Sequence, residues 1–183
     1  MNKVVAIVGM CGSGKSIASD YLVEKGYEKV YFGGVTMEKL KENNLEVTPE
    51  NEKMIREKLR ADLGMGAFSI ILLPRIKKYL KSKNVVLDGL YSWDEYKIIE
   101  EELGGQLSVI SIVVDKELRY SRLSKREVRP LTSDEAKARD LAEIENIRKA
   151  PPIAYADYYV LNNGTFDEYK ARLDEILNII ERS

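Results

Sequence analysis

The sequence predicts one α/β domain built around a parallel sheet. Short apolar runs alternate with helical patterns along the chain, and the length of 183 residues is that of one domain. The first apolar run leads straight into Gly9-Met10-Cys11-Gly12-Ser13-Gly14-Lys15-Ser16, which has the form G-x-x-x-x-G-K-[ST] and stands between a strand pattern and a helix pattern.

Val4-Val5-Ala6-Ile7-Val8 is rich in β-branched residues and apolar throughout, as a strand buried on both faces must be. From Ser16 to Lys25, residues Ile17, Ala18, Tyr21 and Leu22 recur at helical spacing, and Gly26 stands where a C-terminal cap belongs. Further strands are predicted over 29–32, 84–88, 107–114 and 158–161. Between the second and third strands lie about fifty residues, too many for a simple crossover. Two helices are expected there, over 48–63 and 67–82, parted by Gly64-Met65-Gly66. A second excursion, 127–152, opens with Arg129-Pro130 and closes with Pro151-Pro152. Neither has repeats, so both read as flaps on one domain spanning 1–183. In the last helix Phe166, Tyr169, Leu173, Ile176, Leu177 and Ile180 form one apolar stripe, expected to pack into the core.

Composition removes several chemistries. Lysine and arginine number 29 against 30 acidic residues, a net charge of -1 that argues against electrostatic coating of nucleic acid or membrane. Histidine is absent, which excludes imidazole bases, Ser-His-Asp triads and histidine-ligated zinc. Cys11 is the single cysteine, so no intramolecular disulfide can form, and a reducing cytoplasmic setting is expected. Val4 to Val8 is too short for a secretory signal, and no apolar stretch is long enough to span a bilayer.

The glycine-rich motif specifies what remains. Gly9, Gly12 and Gly14, with Cys11 and Ser13 between them, let backbone N–H groups converge on phosphate oxygens, and the following helix adds its positive end. Lys15 offers a mobile positive charge to the β- and γ-phosphates, and Ser16 a hydroxyl ligand for Mg²⁺. Cys11 reads as a small loop side chain rather than an activated thiol. Val85-Val86-Leu87-Asp88-Gly89 ends a strand pattern on an acid placed to hold that Mg²⁺ through water. No Asn-Lys-x-Asp guanine-reading motif occurs, so ATP is expected rather than GTP. From Lys116 to Pro130 six basic residues face two acidic ones. Arg122 and Arg126 share a helix face, and with Arg129 on the flap they could clamp a phosphoryl group. Arg119 and Lys125 read as solvated.

With these motifs, nearly the whole chain resembles the nucleoside monophosphate kinase superfamily, most nearly its dephospho-CoA kinase and archaeal adenylate-kinase-related branches. Val86-Leu87-Asp88-Gly89-Leu90 resembles the Leu-Asp-Gly-Phe-Pro-Arg strand end of adenylate kinases. Arg122-x-x-x-Arg126 resembles their lid-entry pair, one arginine on adenine and the other on phosphate. The segment from Ala156 to Thr165 is similar to Ala-Asp-x-x-Ile-x-Asn-x-Gly-Ser of dephospho-CoA kinases, which places Asn163 and Gly164 beside the nucleotide. The resemblance implies a P-loop three-layer fold with a five-stranded parallel sheet in the order 2-3-1-4-5, a helical acceptor-binding insert at about 36–82 and a lid at about 127–152. It also implies ATP- and Mg²⁺-dependent transfer of the γ-phosphoryl group to a small anionic acceptor, a nucleotide or a CoA precursor.

The chain departs from both patterns on the acceptor side. Adenylate kinases carry an acceptor-binding arginine where this chain has Met37, and Tyr91 replaces a second one. Dephospho-CoA kinases end the second strand with a proton-accepting aspartate, where this chain has Phe32-Gly33-Gly34. Asp88, Glu38 and Glu95 stand as substitute bases, and Arg56, Arg60 and Arg75 as holders of an anionic acceptor, with Arg60 foremost. The alternative is a nucleotide-responsive binding protein that keeps the fold without a standard acceptor site.

Overall fold

In this computed structural model, residues 1–182 are described. Five strands, β1 (Val4–Val8), β2 (Glu28–Tyr31), β3 (Val85–Asp88), β4 (Leu107–Val113) and β5 (Tyr158–Leu161), form one sheet in the order β2-β3-β1-β4-β5. All four pairings are parallel, with Val4 opposite Val85 on one side and Leu107 on the other. The order matches the sequence expectation. Helix α1 (Lys15–Glu24) follows β1 directly, and α2 (Gly33–Glu42), α3 (Pro49–Leu63) and α4 (Ala67–Leu80) fill the interval between β2 and β3. Helix α5 (Trp93–Leu103) leads to β4; α6 (Lys116–Ser124), α7 (Ser133–Glu145) and α8 (Ala150–Ala154) stand between β4 and β5; α9 (Phe166–Arg182) follows β5.

Two apolar layers sandwich the sheet, which is why its inner strands read as unbroken apolar runs. Val4, Ala6 and Val8 pack with residues of α2, α4 and α5, among them Val35, Leu72 and Ile99. Val5 and Ile7 face the other way, onto Ala18 and Leu22 of α1 and Leu173 and Ile180 of α9. A small third cluster joins Cys11 of the loop to Leu123 of α6 and Ala136 of α7. It ties the segment between β4 and β5 to the phosphate loop.

Two local readings change. Gly33-Gly34 does not end a strand but opens α2, folded beneath the ring of Tyr31, which a Cβ at position 33 would strike. Phe166 does not join the core stripe: at 51% exposure it stands at the first turn of α9, while Tyr169, Leu173, Leu177 and Ile180 are buried. A helical stripe fixes which face is apolar, but its first turn opens onto the cavity over the phosphate loop.

Candidate active site

The loop after β1 is held in shape from three directions. Gly9 has φ +146°, and a Cβ there would lie 2.6 Å from the Ile112 carbonyl oxygen of the neighbouring strand. Gly14 has φ +95°, and its Cβ would lie 2.6 Å from Asn162 Nδ2. That amide, at the end of β5, donates to the Ser13 carbonyl at 2.9 Å, while the Tyr169 hydroxyl of α9 donates to the Gly14 carbonyl at 3.0 Å. On the far side Arg119 Nη1 donates to the Cys11 carbonyl at 2.9 Å. With its carbonyls engaged outward, the loop is free to aim N–H groups at an anion.

A cavity of about 460 Å³ opens over the loop, lined by Gly12, Gly14, Lys15 and Ser16 together with Arg122, Arg126, Asn162, Gly164 and Phe166. Arg122 Nη2 donates to the Asn162 carbonyl at 2.9 Å, and its Nη1 is buried with no partner. A buried guanidinium nitrogen facing a cavity is a donor waiting for a ligand oxygen or a ring face. Phe166 supplies an apolar wall, with Lys170 Nζ 4.5 Å from its ring centroid on α9. Lys15 is only 9% exposed, and its Nζ donates to the Met10 carbonyl at 2.8 Å. Burial, then the charge of Lys149, lowers its pKa to about 7.

That shift has a measurable consequence for the ligand-free protein. Lys15 is harder to protonate folded than unfolded, so the cost is full below pH 7 and is relieved as pH rises from 7 toward the ordinary value of 10.5. Lys15→Met is therefore expected to be more stable than the parent at pH 6, with the gap narrowing above pH 7 by up to about 1.4 kcal/mol per pH unit. Urea unfolding of both proteins at pH 6 and pH 9 reads the difference; a gap independent of pH refutes it.

Arg119 is the main surprise in the basic segment. The sequence places it on a solvated face, yet it is 6% exposed. Its guanidinium makes a fork with Asp140 of α7, at 3.1 and 2.6 Å, beside the bond to the Cys11 carbonyl, and the Tyr120 hydroxyl donates to Asp140 at 3.2 Å. Arg119 therefore links the phosphate loop, α6 and α7. Periodicity along α6 could not show this, because Asp140 arrives from another helix.

A second cavity, about 580 Å³, lies between α2, α3, the end of β3 and α7. Of the expected acceptor residues it gathers Arg56, Arg60 and Tyr91, along with Met37. Arg75 is elsewhere, exposed and forked onto Glu38 at 2.9 and 3.0 Å, which also removes Glu38 from the cavity. Arg129 lines this second cavity rather than joining Arg122 and Arg126 at the first; it has φ +53°, and Nη2 lies 3.1 Å from Glu52 Oε1. Sequence reasoning missed Glu52, Arg139, Glu143 and Lys149. Glu143 accepts from Arg139 Nε at 3.1 Å and from Lys149 Nζ at 2.6 Å, and that ammonium lies 4.4 Å from the Tyr91 ring centroid. Although burial pushes the Glu143 carboxyl up, Lys149 and Arg139 hold it below the usual carboxylate range. An R-x-x-x-E spacing on a helix was the available signal, but it is common on solvated faces.

Asp88 is buried at the end of β3, with Lys29 Nζ 2.9 Å away. Among the described residues no three acidic or cysteine side chains gather as a metal cage. The oxygens of Ser16 and Asp88 instead suit Mg²⁺, which keeps several waters and takes one or two protein ligands alongside phosphate oxygens. Cys11 is buried beneath the loop, with Arg126 Nη1 4.0 Å from its sulfur. Asn163 Oδ1 accepts from the Asp115 backbone N–H at 3.0 Å, so its side chain shapes the β4 and β5 ends rather than facing the loop.

Strand, glycine-rich loop and helix on a sheet of this order make the protein a P-loop NTPase of kinase-like fold. A model of the AAA domain family matches residues 5–145. UPF0200 proteins of Pyrococcus furiosus and Sulfurisphaera tokodaii are 30% and 32% identical to this chain, each comparison covering 97% of both sequences. The chain thus belongs to the AAA domain family over that span and to the UPF0200 family along its length. Among solved structures, TT1252 from Thermus thermophilus shares the fold with a TM-score of 0.64 at 19% identity, covering 97% of both chains. Shikimate kinase from Bacteroides thetaiotaomicron does so with a TM-score of 0.60 at 13% identity, covering 98% of both. No helix among the described residues is long and apolar enough to cross a membrane.

Proposed function

We propose that the protein is an ATP- and Mg²⁺-dependent phosphotransferase of the nucleotide kinase and dephospho-CoA kinase type, carrying the γ-phosphoryl group to a small anionic acceptor. The observation that carries this reading is the pair of cavities, one over the phosphate loop and containing Lys15, the other lined by arginines and reaching the end of β3 at Gly89 and Tyr91. A second cavity gives an acceptor a place to bind, which nucleotide binding alone does not require. Lys15 and the loop amides hold the triphosphate, Arg122 and Phe166 flank the base, and Arg126 meets phosphate oxygens. Mg²⁺, held by Ser16 and by Asp88 through water, would neutralise charge on the β- and γ-oxygens. The helices between β2 and β3 form the acceptor insert, and the segment from Glu127 to Pro152 acts as a lid that excludes water. Residues 1–183 are taken to act as one kinase domain in the cytoplasm.

The test is magnesium-dependent ATP binding and ADP release, measured without acceptor and with an acceptor panel. An acceptor-stimulated rate near or above about one per second establishes a kinase. ATP binding with no stimulation by any acceptor returns the chain to the class of nucleotide-responsive binding proteins, a reading that Met37 and Tyr91 motivate. Oligonucleotide protection at low salt is expected to be absent, given the net charge of -1.

A further inference from the structure

We propose that the second cavity takes a hydroxyl-bearing acceptor anchored through one anionic group at Arg60, and that Glu143 is the catalytic base that receives the proton of the attacking hydroxyl. The inference rests on the phosphotransferase reading and narrows it to one kind of acceptor.

Charge pairing inside the cavity separates a hydroxyl acceptor from a phosphate acceptor. Arg56 and Arg129 are both tied to Glu52, at 3.3 and 3.1 Å, and Arg139 is tied to Glu143. Arg60 has no ion pair among the described residues, stands 5.6 Å from the Phe68 ring centroid, and buries an Nε with no hydrogen-bond partner. A phosphate that is itself the nucleophile brings about two negative charges against the γ-phosphoryl group and needs several free cations around it. The lining sets Arg56, Arg60, Arg129 and Arg139 against Glu52, Glu95 and Glu143, an excess of only one positive charge. That is enough to anchor a carboxylate or phosphate remote from the reacting atom, while the reacting atom itself stays neutral.

A hydroxyl nucleophile needs somewhere for its proton to go. Glu95 caps α5, its Oε2 accepting from the N–H groups of Tyr91 and Ser92 at 2.9 and 3.0 Å. Glu52 lies at the α3 side, between two arginines. Asp88 is paired with Lys29 and does not line this cavity. Glu143 lines the cavity and uses one lone pair on each oxygen, for Arg139 and Lys149, which leaves one on each. It shares the cavity wall with Gly89 and Tyr91 at the end of β3, and the ammonium it binds, that of Lys149, lies 4.4 Å from the Tyr91 ring centroid. Held ionised, it is a weak base; a loose phosphoryl transition state leaves the proton on the hydroxyl until late, so an oriented carboxylate suffices. In the step, the acceptor oxygen forms a bond to the γ-phosphorus, and the bond from that phosphorus to the β,γ-bridging oxygen breaks. ADP departs with the electron pair, and the hydroxyl proton passes to a Glu143 oxygen and then to water.

The experiment compares two acceptor sets with the intact protein. Dephospho-CoA, shikimate, ribose 5-phosphate and glycerate present a hydroxyl and a separate anion; AMP, CMP and UMP present a terminal phosphate. Expected is ADP release about tenfold or more above the acceptor-free rate with at least one member of the first set, and a phosphate ester as product by phosphorus NMR. Glu143→Gln should lower that stimulated rate about a hundredfold or more, while calorimetry finds acceptor binding to protein loaded with a non-hydrolysable ATP analogue changed by less than about threefold. Glu143→Asp, which keeps a carboxylate and serves if the glutamine variant fails to fold, should retain more activity than Glu143→Ala. Arg60→Ala should weaken acceptor binding in the same calorimetry about tenfold. A phosphoanhydride product from the second set overturns the proposal, as does full activity in Glu143→Gln, or ATP binding with no stimulation by any hydroxyl compound. Loss of ATP binding in the parent protein would overturn the phosphotransferase reading itself.

Discussion

Lys15→Ala is expected to lower magnesium-dependent ATP turnover by about a hundredfold or more and to weaken ATP binding measurably. Lys15 is buried at the head of α1 with its ammonium bonded to the Met10 carbonyl, so it is stored inside the loop rather than dispersed in solvent. A triphosphate entering the first cavity exchanges that carbonyl for anionic oxygens, a stronger partner in a low-dielectric site. The pKa of about 7 in the empty loop means that binding draws the group back to its charged form, with proton uptake above neutral pH. Alanine removes the charge without touching the loop carbonyl bonds to Asn162, Tyr169 and Arg119, so the variant should remain folded. The measurement is ADP release and nucleotide titration in parent and variant; equal turnover and affinity in both would defeat the assignment of this loop as the nucleotide site.

The largest effect on stability is expected at Arg119. Arg119→Ala strands the Asp140 carboxylate, whose side chain is 10% exposed, and removes the donor to the Cys11 carbonyl. Breaking a buried pair from one side costs about 3–5 kcal/mol, which for a chain of this size corresponds to a fall in Tm of roughly 6–20 °C. The double variant Arg119→Met with Asp140→Leu should lose less, because no lone charge is left behind. It should still bind ATP more weakly, since the loop has lost its anchor on that side. Lys125→Ala, exposed at the C-terminal end of α6, should stay within about 0.5 kcal/mol of the parent. Urea and thermal unfolding of the three variants read the stabilities, and nucleotide titration reads the ATP affinity of the double variant; a loss below about 1 kcal/mol in Arg119→Ala would show that the fork contributes little.

Strand runs, the phosphate loop and the terminal helix were legible in the sequence because each depends on contiguous residues. Val4 to Val8 must be apolar on both faces, and the Gly9 and Gly14 conformations exclude side chains whatever surrounds them. Lys15, Ser16, Arg122 and Arg126 follow from the same local logic, and the structure brings them to one cavity. Phe166 was misread because helical period distinguishes an apolar face from a polar one, yet not a buried turn from one that overhangs a cavity. Arg119 and Lys125 look alike in sequence, six positions apart in one basic segment. One is locked in the fork with Asp140 and the other is solvated, a difference made by where α7 packs.

The acceptor side shows the same division more sharply. Counting arginines in the insert yields Arg56, Arg60 and Arg75 as equals. The packing of α2 against α3 and α4 pairs Arg75 with Glu38 outside the cavity, commits Arg56 to Glu52, and leaves Arg60 unpaired inside. Glu143 and Lys149 enter from a segment more than fifty residues beyond β3, brought to Tyr91 by the return of the chain toward β5. The sequence by itself determined the class of fold and the phosphate loop, because both are written in backbone periodicity and local glycine geometry. Which charges remain free to act was decided only by the tertiary structure, because ion pairing depends on distances between elements far apart in the chain.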